Sequence, residues 1–247
     1  MSCIDLPIAM LHHVSDREDW DSIRPFVINN STFTRFLDVI EKREFQTLTF
    51  DEIAKQKKHG RKSIVISFDD CGKHLWDFAI PELVRRNMKA VFFMPTAYIG
   101  GLNDWNIEQG KSAIPLMNES DLRELEKIGM EVGGHSHHHI RLGTCEKSEV
   151  LSQFAQCQNI LTSILGHPVH HFAYPFGSIP ENAEQILHNH GFKSACAIFS
   201  PQQLPHQMRR FIVHDGDSQP SLSLKIRPIY QHYRSLTDSR KSPSAWK

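Results

Sequence analysis

Residues Ser63-Ile64-Val65-Ile66-Ser67-Phe68-Asp69-Asp70 decide how this chain is read. A short run of β-branched and aromatic residues fits a buried strand of a parallel sheet, and two aspartates stand at its C-terminal end. β/α folds place their active sites at that end. Alternate strand residues face opposite sides, so the adjacent carboxylates are expected to play different roles, one binding a metal while the other holds a water. Taken alone, an Asp-Asp pair more often caps the following helix than catalyses, so its meaning depends on the rest of the chain.

Around this strand, short apolar runs alternate with helical patterns, the signature of a β/α architecture. Strands are expected at 7–11, 47–50, 63–68, 90–94, 130–133, 170–174, 194–198 and 210–214. Phe33, Phe36, Leu37 and Ile40 recur at helical spacing behind Ser31 as N-cap, which predicts a helix over 31–44. Leu122, Leu125 and Ile128 do the same behind Asn118 and stop at Gly129; further helices are expected over 146–165, ended by Gly166, and 181–190, ended by Gly191. The segment 100–115 has turn residues and little periodicity, so it reads as a long functional loop. One domain over 1–217 is expected, followed by a basic extension over 218–247 with a helix through 229–236.

With 247 residues, 40% hydrophobic and 23% charged, the chain can bury one sizeable core. Lys+Arg and Asp+Glu both number 28, so no net field argues for nucleic acid, and a neutral small molecule or glycan is the expected partner. Five cysteines, an odd number without a C-x-x-C pair, read as free thiols of a reducing compartment. The N-terminal stretch lacks a positively charged n-region, and no apolar run approaches a membrane span; a cytoplasmic location without signal peptide or transmembrane segment is the expectation. The basic tail, with Lys225, Arg227, Arg234, Arg240 and Lys241, is a candidate for weak contact with an anionic membrane surface, a solvated C-terminus being the plainer reading.

The second constellation is Gly133-Gly134-His135-Ser136-His137-His138-His139, again just after an expected strand. His135 and His139, four apart, can converge on one ion, and with Asp70 they make a His₂Asp set with a position left for water. His137 and His138 read as bystanders. A third stretch, Phe172-Ala173-Tyr174-Pro175-Phe176-Gly177, is a turn after an apolar strand, weak alone and informative through its order behind the other two.

Together these motifs resemble the polysaccharide deacetylase family, the NodB-like carbohydrate esterases, over about residues 8–217. The resemblance implies a distorted (β/α)7-type barrel with an α/β core and imperfect closure. It implies Asp69 as general base, with Asp70, His135 and His139 as ligands of a divalent cation, zinc first and nickel or cobalt as alternatives. That ion would activate water and polarise an acetyl carbonyl, and the turn at Tyr174, Pro175 and Phe176 would contact substrate and oxyanion. The implied reaction is removal of N-acetyl groups from an amino-sugar glycan or its precursor, and the F-A-Y-P-x-G form resembles the branch that acts on poly-N-acetylglucosamine and related exopolysaccharides. Met10-Leu11-His12-His13-Val14 resembles an opening motif that brings His12 to the mouth; His12 and His214 are the candidates for protonating the leaving amine.

The departures are equally specific. Many members carry an arginine that steadies the catalytic aspartate where this chain has Ala173, so that contact is absent or comes from elsewhere. The late tryptophan motif has no clear match, and Cys71 stands where glycine is common, as a small buried residue or a soft thiolate near the metal. These departures keep open a catalytically silent glycan-binding domain, alongside a hydrolase of another, cyclic amide on the same scaffold.

Overall fold

The computed structural model describes residues 6–55, 62–200 and 203–238. Its strands are β1 (Ile8–Leu11), β2 (His13–Val14), β3 (Val27–Ile28), β4 (Gln46–Thr47), β5 (Ser63–Asp69), β6 (Val91–Met94), β7 (Glu131–Gly134), β8 (His171–Ala173), β9 (Ser194–Cys196) and β10 (Phe211–Ile212). The helices are α1 (Asn30–Lys42), α2 (Phe50–Lys55), α3 (Ala79–Arg85), α4 (Asp104–Ile107), α5 (Glu119–Lys127), α6 (Lys147–Leu165), α7 (Ala183–Asn189), α8 (Gln219–Lys225) and α9 (Pro228–Asp238). The main sheet runs β10-β1-β5-β6-β7-β8-β9 with every pairing parallel, and β4 adds to β5. This is the curled, seven-stranded barrel expected of the sequence.

Closure is made by a few residues. Met208 bridges Cys196, its carbonyl accepting from the Ala197 N–H at 2.7 Å, and three residues later Phe211 pairs with Ala9 of β1. Segment 208–212 therefore joins the two edges of the barrel. Along β5 the pleat sorts the side chains: Ile64, Ile66 and Phe68 join the core under the helices, while Val65 joins a second core with Ile8, Val91 and Phe93. The same alternation carries Ser67 and Asp69 to the side of Val65.

Several local expectations shift for identifiable reasons. Helix α1 is capped by Asn29, whose Oδ1 accepts the Thr32 N–H at 2.7 Å; Ser31 instead donates its hydroxyl to that same Asn29 oxygen. The strand expected over 47–50 stops at Thr47, because Thr49 and Glu52 exchange bonds as a capping box and start α2. The loop over 100–115 holds α4 and two turns tied by antiparallel bridges, Leu102 to Pro115 and, just beyond, Gly72 to Leu116. Helices α3 and α8 and the two-residue strands β2 and β3 escape the sequence reading because each is too short to display a period.

The segment after 217 packs on the barrel: Leu222 and Ile226 are fully buried in the main core. Two of its basic residues are tied inward, Lys225 to Asp217 at 2.5 Å and Arg234 to Asp238 at 2.8 Å. Arg240 and Lys241 lie outside the described residues. Among those described, no helix is long and apolar enough to cross a membrane, and Cys71, Cys145, Cys157 and Cys196 are free.

Candidate active site

Asp69 ends β5 inside the barrel mouth, 3% exposed, and it is clamped by an arginine from the far end of the chain. Arg210, preceding β10, donates Nη1 to Asp69 Oδ1 at 2.6 Å and Nη2 to Oδ2 at 2.7 Å, a bidentate fork. Its Nε reaches the Ala197 carbonyl at 3.2 Å, and Nη1 also meets Ser67 Oγ, which donates to Ala9 O. Burial alone pushes the Asp69 carboxyl up, but Arg210 first and then His135 outweigh it, and the group is held below the usual carboxylate range. The contact missing at Ala173 is thus made from the closing strand. The sequence reading has position 210 only as the start of the strand expected over 210–214; the available signal was a charged residue at the start of an apolar strand, in a fold whose strand interiors converge.

Asp70, His135 and His139 meet beside it, with one ligand atom from each within 4.8 Å of the others, all three buried. Asp70 Oδ1 stands 3.2 Å from His139 Nε2 and 3.6 Å from His135 Nε2. His135 turns its other nitrogen, Nδ1, to the Ala173 carbonyl at 2.7 Å, which makes Nδ1 the donor and leaves Nε2 a lone pair. Burial lowers the His135 pKa to about 4, so the ring is neutral at neutral pH. Burial opposes ionisation of Asp70 too, but His139 foremost, then His12 and His135, hold its carboxyl well below the ordinary range. Yet Asp70 Oδ1 has no hydrogen-bond donor among the described residues. A buried carboxylate oxygen facing an imidazole lone pair is repulsive unless a cation lies between them, and two imidazoles with a carboxylate suit a borderline-soft divalent ion. The residues present fit a metal.

Backbone geometry sets these side chains. Of the eight described non-glycine residues with positive φ, four fall in the three motifs, Asp70 (70°), Ser136 (62°), His139 (51°) and Phe176 (58°), and a fifth, Cys71 (52°), directly follows the first. Each such residue costs about 1 kcal/mol or more, so strain gathers where side chains must be re-aimed at strand ends. Gly133 is needed for a different reason: a Cβ there would lie 2.6 Å from the Phe93 ring and 2.8 Å from the His171 carbonyl. The loop is held by Gln153, whose Oε1 accepts the N–H groups of both His137 and His138, while His137 Nδ1 meets Thr96 Oγ1 at 2.9 Å. Neither histidine belongs to the Asp70, His135 and His139 group.

In the third motif, Tyr174 is fully buried and its hydroxyl donates to His206 O, so its side chain serves the core. Its N–H goes to Cys196 O and Pro175 has none, which leaves the Phe176 N–H as the turn's candidate donor. The Phe176 ring lies 4.8 Å from that of His139, with the Arg141 guanidinium 4.3 Å above it. On the other side Trp105, from the expected functional loop, stacks on His139 at 4.2 Å. That contact holds the His139 ring and was not read from the sequence.

His12 follows β1 at the mouth, near enough for its charge to act on both Asp69 and Asp70. His214 is not drawn into the cluster in the same way: it is exposed, its N–H donates to Asp217 Oδ2, and the charges acting on its ring are Lys225 and Asp217. Cys71 is fully buried, and burial, then Asp70 and Asp69, push its thiol well up; it stays protonated and fills space.

A family model described as polysaccharide deacetylase matches residues 56–195. Poly-beta-1,6-N-acetyl-D-glucosamine N-deacetylase of Staphylococcus aureus (strain MRSA252) is 21% identical over 209 residues, covering 78% of this chain and 70% of the relative. Among solved structures, the Streptococcus pyogenes deacetylase PplD in complex with acetate superposes with TM-score 0.76 at 18% identity, over 90% of this chain and 98% of that one. IcaB from Ammonifex degensii gives TM-score 0.74 at 19% identity, over 90% and 97%. At these identities the superpositions show the fold.

Proposed function

Because the chain belongs to the polysaccharide deacetylase family, we propose that it is a metal-dependent hydrolase that removes N-acetyl groups from an amino-sugar glycan or its biosynthetic precursor. The observation that carries this reading is the pairing of two neighbouring carboxylates with different surroundings: Asp70 Oδ1 faces the His135 lone pair at 3.6 Å and His139 Nε2 at 3.2 Å, and Asp69 is held by a bidentate arginine. One suits a cation and the other a proton. The Staphylococcus aureus relative is named for poly-β-1,6-N-acetylglucosamine, which makes β-1,6-linked oligomers the first substrate to try.

Asp70, His135 and His139 would hold the ion, zinc first and nickel or cobalt as alternatives. When bound, a divalent cation supplies Lewis acidity toward water and the acetyl carbonyl. Asp69 takes the proton of the attacking water, and Arg210 keeps that carboxylate ionised and oriented to accept it. The Phe176 N–H donates toward the carbonyl oxygen as charge develops there. His12, at the mouth after β1, returns a proton to the leaving amine. The silent-domain reading loses its main motive, since Asp69 has an arginine after all.

Acetate release from N-acetylglucosamine oligomers tests the proposal. Activity is expected to vanish on chelation, return with zinc, nickel or cobalt, and fall by about 10²–10⁴ in Asp69→Asn. Metal-loaded protein that releases no acetate from any N-acetylated amino-sugar oligomer would overturn it.

A further inference from the structure

Away from the mouth, where the C-terminal end of α1 lies against α8, an open groove of about 630 Å³ adjoins a smaller one of about 320 Å³. The lining residues common to both are Lys42, Arg43, Ser223 and Arg227. None belongs to the catalytic cluster.

Three cations therefore converge from two helices, and among the described residues none of them has an ion-pair partner. The nearby carboxylates are committed elsewhere: Asp38 and Glu41 to Arg86, and Glu44 to Lys62. Basic residues at a helix C-terminus are ordinary, because they offset the macrodipole, and that accounts for Lys42 and Arg43. It does not account for Arg227, which follows the neighbouring helix. Nor does it account for Ser223, 8% exposed, whose Oγ is buried with no hydrogen-bond partner in the structure. A helical serine ordinarily satisfies its hydroxyl on the preceding turn, and here it does not.

From these features we infer that the groove is an anion site for a phosphate ester, with Arg43, Arg227 and Lys42 as counter-charges and the Ser223 hydroxyl as a neutral donor. Phosphate has the charge and acceptor number to satisfy several cations at once, and the guanidinium fork matches its geometry. Val39, Pro220 and Leu224 line the same groove, so the group that carries the phosphate is partly apolar. A lipid headgroup and a soluble phosphate ester share this chemistry. The inference stands independently of the deacetylase reading.

The test uses the full chain at low salt with two probes: inorganic phosphate by calorimetry, and sedimentation with phosphatidylcholine vesicles with and without phosphatidylglycerol. Arg43→Ala/Arg227→Ala is expected to weaken binding about tenfold or more, and Ser223→Ala a few-fold, while Lys127→Ala on another face changes nothing. Thermal melts of these variants by circular dichroism should match the unmodified chain, which certifies their fold. Binding only to phosphatidylglycerol vesicles, lost in the double variant, assigns a lipid headgroup; phosphate binding lost in the same way assigns a soluble ester. No binding of either probe, or a double variant that binds as tightly as the unmodified chain, overturns the proposal.

Discussion

Two clusters of buried histidine and carboxylate sit at opposite ends of the barrel strands, and they are built on opposite principles. At the strand starts, His171 meets Ser194 Oγ at 2.7 Å through Nδ1 and Asp51 Oδ1 at 3.3 Å through Nε2. The Asp51 N–H in turn donates to Glu131 Oε2 at 2.9 Å. Both ring nitrogens have a partner there. At the strand ends, Asp70 Oδ1 and the Nε2 of His135 confront one another 3.6 Å apart, and Asp70 Oδ1 has no donor among the described residues. The same residue types thus partner both nitrogens of a histidine in one place, where Glu131 Oε1 alone lacks a hydrogen bond among the described residues, and in the other set a carboxylate oxygen against an imidazole lone pair. Chemistry is to be sought where three such ligand atoms converge, as at Asp70, His135 and His139, because that arrangement is tolerated only if something else completes it.

The largest contrast is expected between Asp70→Asn and Asp51→Asn. The first should weaken metal binding by more than about a hundredfold and abolish acetate release; the second should leave kcat within about twofold and only loosen the strand-start network. Metal stoichiometry and initial rates read both, and equal losses in the two variants would erase the distinction.

Next in size is Arg210→Met, which leaves the Asp69 carboxylate buried without its partner. Breaking such a pair costs about 3–5 kcal/mol, measurable by chemical denaturation. The pH profile separates a positioning role from a structural one. Arg210 holds the Asp69 pKa down, so its removal raises that pKa, and the acidic limb of the rate profile should move to higher pH. A limb that stays in place would assign Arg210 to stability alone.

The smallest effect is expected at the opposite end. Burial raises the Glu131 carboxyl above its ordinary value, His171 opposing. A raised folded-state pKa contributes stability that is complete below the unfolded value and is lost as pH rises through the folded one. Glu131→Gln should therefore gain thermal stability relative to the unmodified chain between about pH 4.5 and neutrality, with acetate release unchanged. A midpoint difference independent of pH would contradict this reading.

Much of the site is local in the chain and could be read from it. A β-branched run ending in Asp69-Asp70, two histidines four apart after Gly133-Gly134, and a Pro-x-Gly turn after a third strand are contiguous patterns whose spacing a backbone of fixed pitch converts directly into geometry. Helices α5 and α6 were legible for the same reason, through Asn118 at one start and Gly166 at one end. The cap at Thr49 was also written locally, as Thr49-Phe50-Asp51-Glu52, although strand propensity in the preceding residues hid it.

What no window of sequence contains is the joining of remote segments. Arg210 reaches Asp69 across 141 residues, and only the curl of the sheet, which brings β10 beside β1 and β1 beside β5, makes them neighbours. Trp105 on His139 and the meeting of Lys42 with Arg227 are of the same kind. The order of residues along the chain settled which side chains were available for chemistry and which strand ends present them. The tertiary fold settled which are paired and which are left wanting a partner, because electrostatic and hydrogen-bond energies depend on distance in space, and distance in space is set by closure of the barrel.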